Sequence, residues 1–160
     1  MSQVTTYVDS ARLSHLLDIR PNHPTDLSIS DIKTIFRTVL DATAHCHSKN
    51  VIIRNLTPSN ICAKRTPEGF VVKIADFSLS VMNGCTDYLC DSRFFNWNQV
   101  PYMAPEALLG NPYSYAMDVW AIGVLLFMMV CNSLPFESEE DSVLMNQITV
   151  RHLMFATVPC

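Results

Sequence analysis

Thirteen consecutive residues without a charge, VWAIGVLLFMMVC from Val119 to Cys131, constrain the fold of this chain more than any other feature. A helix that crosses a bilayer needs about 20 apolar residues, whereas runs of about 10–14 belong to buried helices of a folded core. With Asp118 directly before it, the run is expected to be a core helix and not a membrane span. The elements that surround it can come from one domain, because 160 residues suffice for a sizeable core. Hydrophobic residues make up 49% and charged residues 16%, which argues against disorder. A net charge of −4 without a block of Lys or Arg gives no electrostatic basis for nucleic-acid binding.

Upstream, Ile29, Ile32, Ile35, Phe36, Val39 and Leu40 recur at steps of three and four, the signature of one buried helical face. Ser28 and Asp31 have the spacing of a capping box, which satisfies free amides at a helix start. After HSKN comes the β-branched run VII, and NICAKRTPEGFVVKIADF reads as two short strands joined by a Pro/Gly turn. From Ser78 to Val100 periodicity fades into an irregular loop, and a weaker helix is expected around EEDSVLMNQI after Pro135. The order of helix, loop, hairpin, long loop and buried helix predicts an α+β unit that is mainly α.

The six cysteines, at 46, 62, 85, 90, 131 and 160, follow no framework of spacings, and MSQVTTYVDS lacks the apolar run of a signal peptide. A reduced intracellular chain, cytoplasmic or nuclear, is expected, with Cys85 and Cys90 free. Cys160 is the last residue and so is not the cysteine of a prenylation box. The cluster His45-Cys46-His47 has the composition of a zinc site, but residues two apart on a helix point to different faces, so no zinc is expected.

Three short motifs carry chemistry: RNLTPSN at 54–60, ADFS at 75–78 and PYMAPEAL at 101–108. None is informative alone. In this order, with a strand before Asp-Phe and an apolar helix opened by Asp118-Val119-Trp120 after Ala-Pro-Glu, they are specific. The chain resembles the large C-terminal lobe of a eukaryotic protein kinase over nearly its whole length, and Pro58 with the PYMAPE form is more similar to the serine/threonine branch. The resemblance implies a partial kinase-like domain over 1–160, without the N-terminal β lobe and without the last helices. Within it, 1–9 is a hinge remnant and 10–50 is helical. Residues 51–77 hold the catalytic loop and β hairpin, 78–106 the activation segment, and 107–160 the buried helix and those after it.

The resemblance also implies roles. Asn60 and Asp76 stand where the family holds magnesium ions that bridge the phosphates of ATP. Arg54 stands where a phosphorylated or acidic activation segment is paired, with Thr86, Tyr88 and Ser92 as candidates. Asp118 is expected to accept hydrogen bonds from the loop backbone, and Ile53 with Phe77 to stack in an apolar column. Val4 to Val8 look like the end of the hinge strand, with Thr5 at the gatekeeper position and Thr6, Val8 and Ile61 on the adenine side; Leu125 and Met129 pack beneath. A simpler reading of the same residues leaves Asn60 and Asp76 as turn formers and Arg54 as a bridge to backbone carbonyls.

The departures cluster at the reactive positions. Asn55 occupies the place of the catalytic base, and a neutral amide cannot take the substrate hydroxyl's proton, a role worth roughly 10²–10⁴ in rate. Thr57 replaces the lysine that steadies the transferred phosphate, and Asn98-Gln99 replaces a Gly-Thr pair whose threonine joins that cluster. Ser78 replaces the glycine of D-F-G, restricting a backbone that glycine leaves free. Neither G-x-G-x-x-G nor V-A-I-K occurs in the 160 residues, so half a nucleotide cleft is expected. Glu106 has no family partner in the sequence and is expected to be exposed, protonated or re-paired.

These residues predict a catalytically inactive kinase-homology chain that needs no cofactor and retains a role in binding an unidentified protein. Two alternatives stand beside it. One is a divergent serine/threonine kinase using ATP and magnesium, whose small lobe lies outside this chain. The other is a truncated, non-functional isoform.

Overall fold

The computed structural model describes residues 11–17, 27–84 and 97–150. The hinge positions Thr5, Thr6 and Val8, the candidates Thr86, Tyr88 and Ser92, and Cys85, Cys90 and Cys160 lie outside the described residues.

The fold is α+β and mainly α. A short strand β1 (Ala11–Arg12) leads into one helical turn, α1 (Leu13–Leu16), and then the long helix α2 (Ile29–Ser48). Strand β2 (Val51–Ile52) precedes the candidate loop, which closes in a 3-10 turn at Pro58–Asn60. The hairpin β3 (Ile61–Thr66) and β4 (Gly69–Ile74) follows, then β5 (Val81–Met82). After a second 3-10 turn at Trp97–Tyr102 come α3 (Pro105–Leu108), α4 (Tyr115–Cys131) and α5 (Asp141–Val150).

The apolar run forms α4, but the helix begins four residues earlier, at Tyr115. That start places Asp118 in the first helical turn, where the dipole favours a carboxylate. Ala121, Ile122, Leu125 and Met129 of α4 pack with Ile32, Ile35 and Val39 of α2, with Leu13 and with Ala63, Phe70 and Val72 of the hairpin. A second cluster joins Leu144 and Ile148 of α5 to Phe136 and Val100, and a third seats Ala104 and Ala107 on Met117. Among the described residues, no helix is long and apolar enough to cross a membrane.

The capping box is present in full. Asp31 N–H donates to Ser28 Oγ at 3.1 Å, and Ser28 N–H donates to Asp31 Oδ2 at 3.0 Å. The Ser28 hydroxyl, together with that amide and the neighbouring Arg65, holds the Asp31 carboxyl below its ordinary 3.8. A depressed carboxyl contributes stability above its unfolded value and loses it as pH falls through the folded one. Melting of the wild type should therefore drop as pH is lowered through and below 3.8. Ser28→Ala should cost about 1 kcal/mol at neutral pH and lose part of that acid dependence. Thermal melts of both chains between pH 7 and pH 3 check this.

The helical stripe of α2 is narrower than expected. Ile32, Ile35 and Val39 are buried, but Ile29 is 74% exposed and Leu40 41% exposed. At about 100° per residue both lie at the edge of the face centred on Ile32, Val39 and Thr43. Two strands were also missing from the expected order. β1 pairs antiparallel with β3 through Ala11↔Ala63, inside a segment expected to be helical. β5 pairs with β2 through Ile52↔Val81, inside the expected irregular loop. Two-residue strands carry no periodicity, and each exists only through a partner distant in sequence.

Candidate active site

The loop from Ile53 to Asn60 is fixed from below by one carboxylate. Asp118, 1% exposed, accepts from the Ile53 N–H at 2.9 Å through Oδ2 and from the Arg54 N–H at 2.8 Å through Oδ1. His47 Nε2 lies 2.8 Å from Oδ2, adding a third contact. The clamp holds Arg54 at φ +67, a left-handed backbone that costs a non-glycine residue on the order of 1 kcal/mol or more. The His47 ring packs on Tyr115, 4.5 Å between centroids, and the Tyr115 hydroxyl reaches Asn50 Oδ1 at 3.0 Å. The expected role of Asp118 is therefore present, and His47 belongs to it. Cys46 packs partly against the core; burial raises its thiol pKa and the Asp118 carboxylate raises it further. Among the described residues, no group of three or more His, Cys, Asp or Glu side chains could hold a metal ion.

Above the clamp, the side chains of Asn55 and Gln99 are turned toward one another. Asn55 is buried at 5% exposure, and its Oδ1 accepts from Gln99 Nε2 at 2.8 Å. Thr57 is also buried, and its N–H donates to Asn55 O at 3.2 Å. Asn60 Nδ2 donates to the same Asn55 carbonyl at 3.2 Å, so its amide group braces the loop. The Asn60 carbonyl accepts from Ala75 N–H at 2.8 Å, which brings Asp76 beside the loop. Asp76 Oδ1 accepts from Ser78 N–H at 2.9 Å, an Asx turn of the kind a simple turn former makes. Ser78 is not among the non-glycine residues with positive φ, so the change from glycine carries no left-handed strain.

Some expected placements hold and others change. Ile61 is fully buried in the same core cluster as Leu125 and Met129, the residues it was expected to pack with. Strand alternation explains this: Ile61 and Ala63 face inward, and Cys62 takes the opposite face. Ile53 is fully buried as expected, but Phe77 is 37% exposed and does not complete an apolar column with it. The Arg54 guanidinium sits 3.7 Å from the centre of the Tyr113 ring, a partner that sequence reasoning missed. Glu106 lies in the first turn of α3, where the helix dipole favours a carboxylate, and is partly buried. Tyr102, at the end of the 97–102 turn, has its phenol pushed up to about 12 by burial. The signal for the Asn55–Gln99 pair was in the sequence, since both positions had been placed in one cluster. What was missing was that two changed residues can hydrogen-bond each other.

Comparison with known proteins agrees with this geometry. The family model described as "Protein kinase domain" matches residues 1–159. The chain is 35% identical over 120 residues to calcium/calmodulin-dependent protein kinase type 1 of Macrobrachium nipponense, covering 74% of this chain and 33% of that protein. It is 32% identical over 123 residues to the type II alpha chain of Drosophila melanogaster, covering 76% and 22%. A probable myosin light chain kinase of Dictyostelium discoideum is 34% identical over 127 residues, covering 77% and 38%. The matched region thus spans between about a fifth and two fifths of these relatives' length.

Proposed function

The chain belongs to the protein kinase domain family, with serine/threonine kinases among its relatives, and from that premise we propose that it binds a protein partner and transfers no phosphate. The observation that carries this reading is the Asn55–Gln99 bond of 2.8 Å. A base must accept the proton of the attacking hydroxyl within hydrogen-bond reach. Here the group in that place is a neutral amide whose oxygen is already occupied. Thr57, with no charge, stands where a cation would steady the phosphate, so neither proton removal nor charge neutralisation has a residue to perform it.

A magnesium nucleotide is what the family fold implies, and the fit is partial. Asn60 Oδ1 and the Asp76 carboxylate are oxygen donors of the kind magnesium takes, and they lie on neighbouring segments. One oxygen of Asp76 and the amide nitrogen of Asn60 are engaged within the protein. Asn60 and Asp76 are the residues that would hold such an ion, which would supply positive charge beside the phosphates. Retention of this pair favours the second reading, a divergent ATP-dependent serine/threonine kinase.

Binding to a protein is supported by α4. Val119, Gly123 and Val130 lie along one side of that helix and are exposed, with Val119 60% and Val130 52% accessible. Among the described residues this exposed side of α4 is the surface we assign to a partner.

The test uses the purified chain with magnesium and ATP. The expected outcome is no saturable rise in melting temperature and no γ-phosphate turnover. A rise of several degrees with increasing nucleotide, or steady turnover, gives the answer to the enzyme reading.

A further inference from the structure

The Trp97–Tyr102 turn is anchored by apolar packing, with Tyr102 against the main core, and by a side-chain hydrogen bond. Val100 is fully buried with Phe136, Leu144 and Ile148, and Gln99 Nε2 donates to Asn55 Oδ1 at 2.8 Å. We propose that the Asn55–Gln99 amide pair is a latch that holds this turn against the loop whatever the phosphorylation state of the chain. Gln99 is then a positioning residue. The inference does not depend on whether the chain transfers phosphate.

Two observations lead to it. Both partners are neutral amides, which do not titrate and attract no counter-ion, so the bond is indifferent to added phosphate charge, to salt and to pH. Meanwhile the loop's cation, Arg54, has its guanidinium 3.7 Å from the centre of the Tyr113 ring. To pair with a phosphate it must leave that ring, so a phosphate there begins with an interaction to replace. A neutral latch on one side and an engaged arginine on the other remove the usual reason for a phosphate to order such a turn. Apolar packing of Val100 and Tyr102 is the competing account, and it makes a different forecast.

Hydrogen exchange at the Met103 amide reads the turn, because Met103 N–H donates to Val100 O at 3.0 Å. Phosphatase treatment of the wild type should leave that rate unchanged. Gln99→Ala should raise it about tenfold, the effect of losing one net hydrogen bond. Asn55→Asp and Gln99→Glu should each remain slow, since one amide still donates to the new carboxylate. The double variant N55D/Q99E faces carboxylate to carboxylate and should exchange at least as fast as Gln99→Ala. Amides in the middle of α2 serve as the internal reference for an intact fold, and rates are taken relative to them. Release of the turn by phosphatase alone, wild-type exchange in Gln99→Ala, or a double variant no faster than its singles would each overturn the latch.

Discussion

Asp118→Ala should destabilise the chain by about 3–5 kcal/mol, the cost of removing one partner from a buried charged network. Single domains hold only about 5–15 kcal/mol in all, so this is a large fraction of the total and the melting temperature should fall by many degrees. The reason is local and countable. Two backbone amides, of Ile53 and Arg54, lose their acceptor, and His47 loses its contact. Burial leaves no water to replace the lost oxygen atoms, since Asp118 is 1% exposed. Asp118→Asn keeps one acceptor oxygen and should cost less, with His47→Ala milder again. Urea or thermal unfolding followed by circular dichroism gives the ranking. An alanine variant that melts within two or three degrees of wild type would show that the clamp is dispensable.

Asn55→Asp should leave phosphoryl transfer at background, although a general base contributes roughly 10²–10⁴ in rate where the rest of a site is intact. The restored carboxylate would sit beside Gln99 Nε2, which already lies 2.8 Å from the oxygen at that position. The new acceptor would be engaged by an amide and not by a substrate hydroxyl. Position 57 would still lack a cation. Adding Thr57→Lys and Gln99→Thr is the change that rebuilds the cluster, so the single and triple variants together separate a missing base from a missing cluster. Radiolabel transfer from γ-labelled ATP to a mixed serine/threonine peptide pool is the measurement. Clear activity in the single variant would mean that one amide alone had silenced an otherwise complete site.

Much of the architecture was legible because it is written in local patterns. Ser28 and Asp31 announced a helix start by spacing, the Pro67-Glu68-Gly69 turn announced the hairpin, and the apolar run announced α4. Asp118 was legible only through family resemblance, since a single aspartate before an apolar run says nothing of which amides it meets. What stayed hidden depends on distance along the chain. Residues 11 and 63, 52 and 81, 55 and 99, and 54 and 113 are far apart in sequence and are brought together only by the tertiary fold.

Arg54 at φ +67 is a backbone feature that rests on the Asp118 carboxylate and not on the side chains at 55, 57 and 99. The contour of the loop is thus set by masonry that Asp118 lays, while the reagents at 55, 57 and 99 are furniture standing on it. Residues at 55, 57 and 99 can therefore change while the contour beneath them keeps its shape.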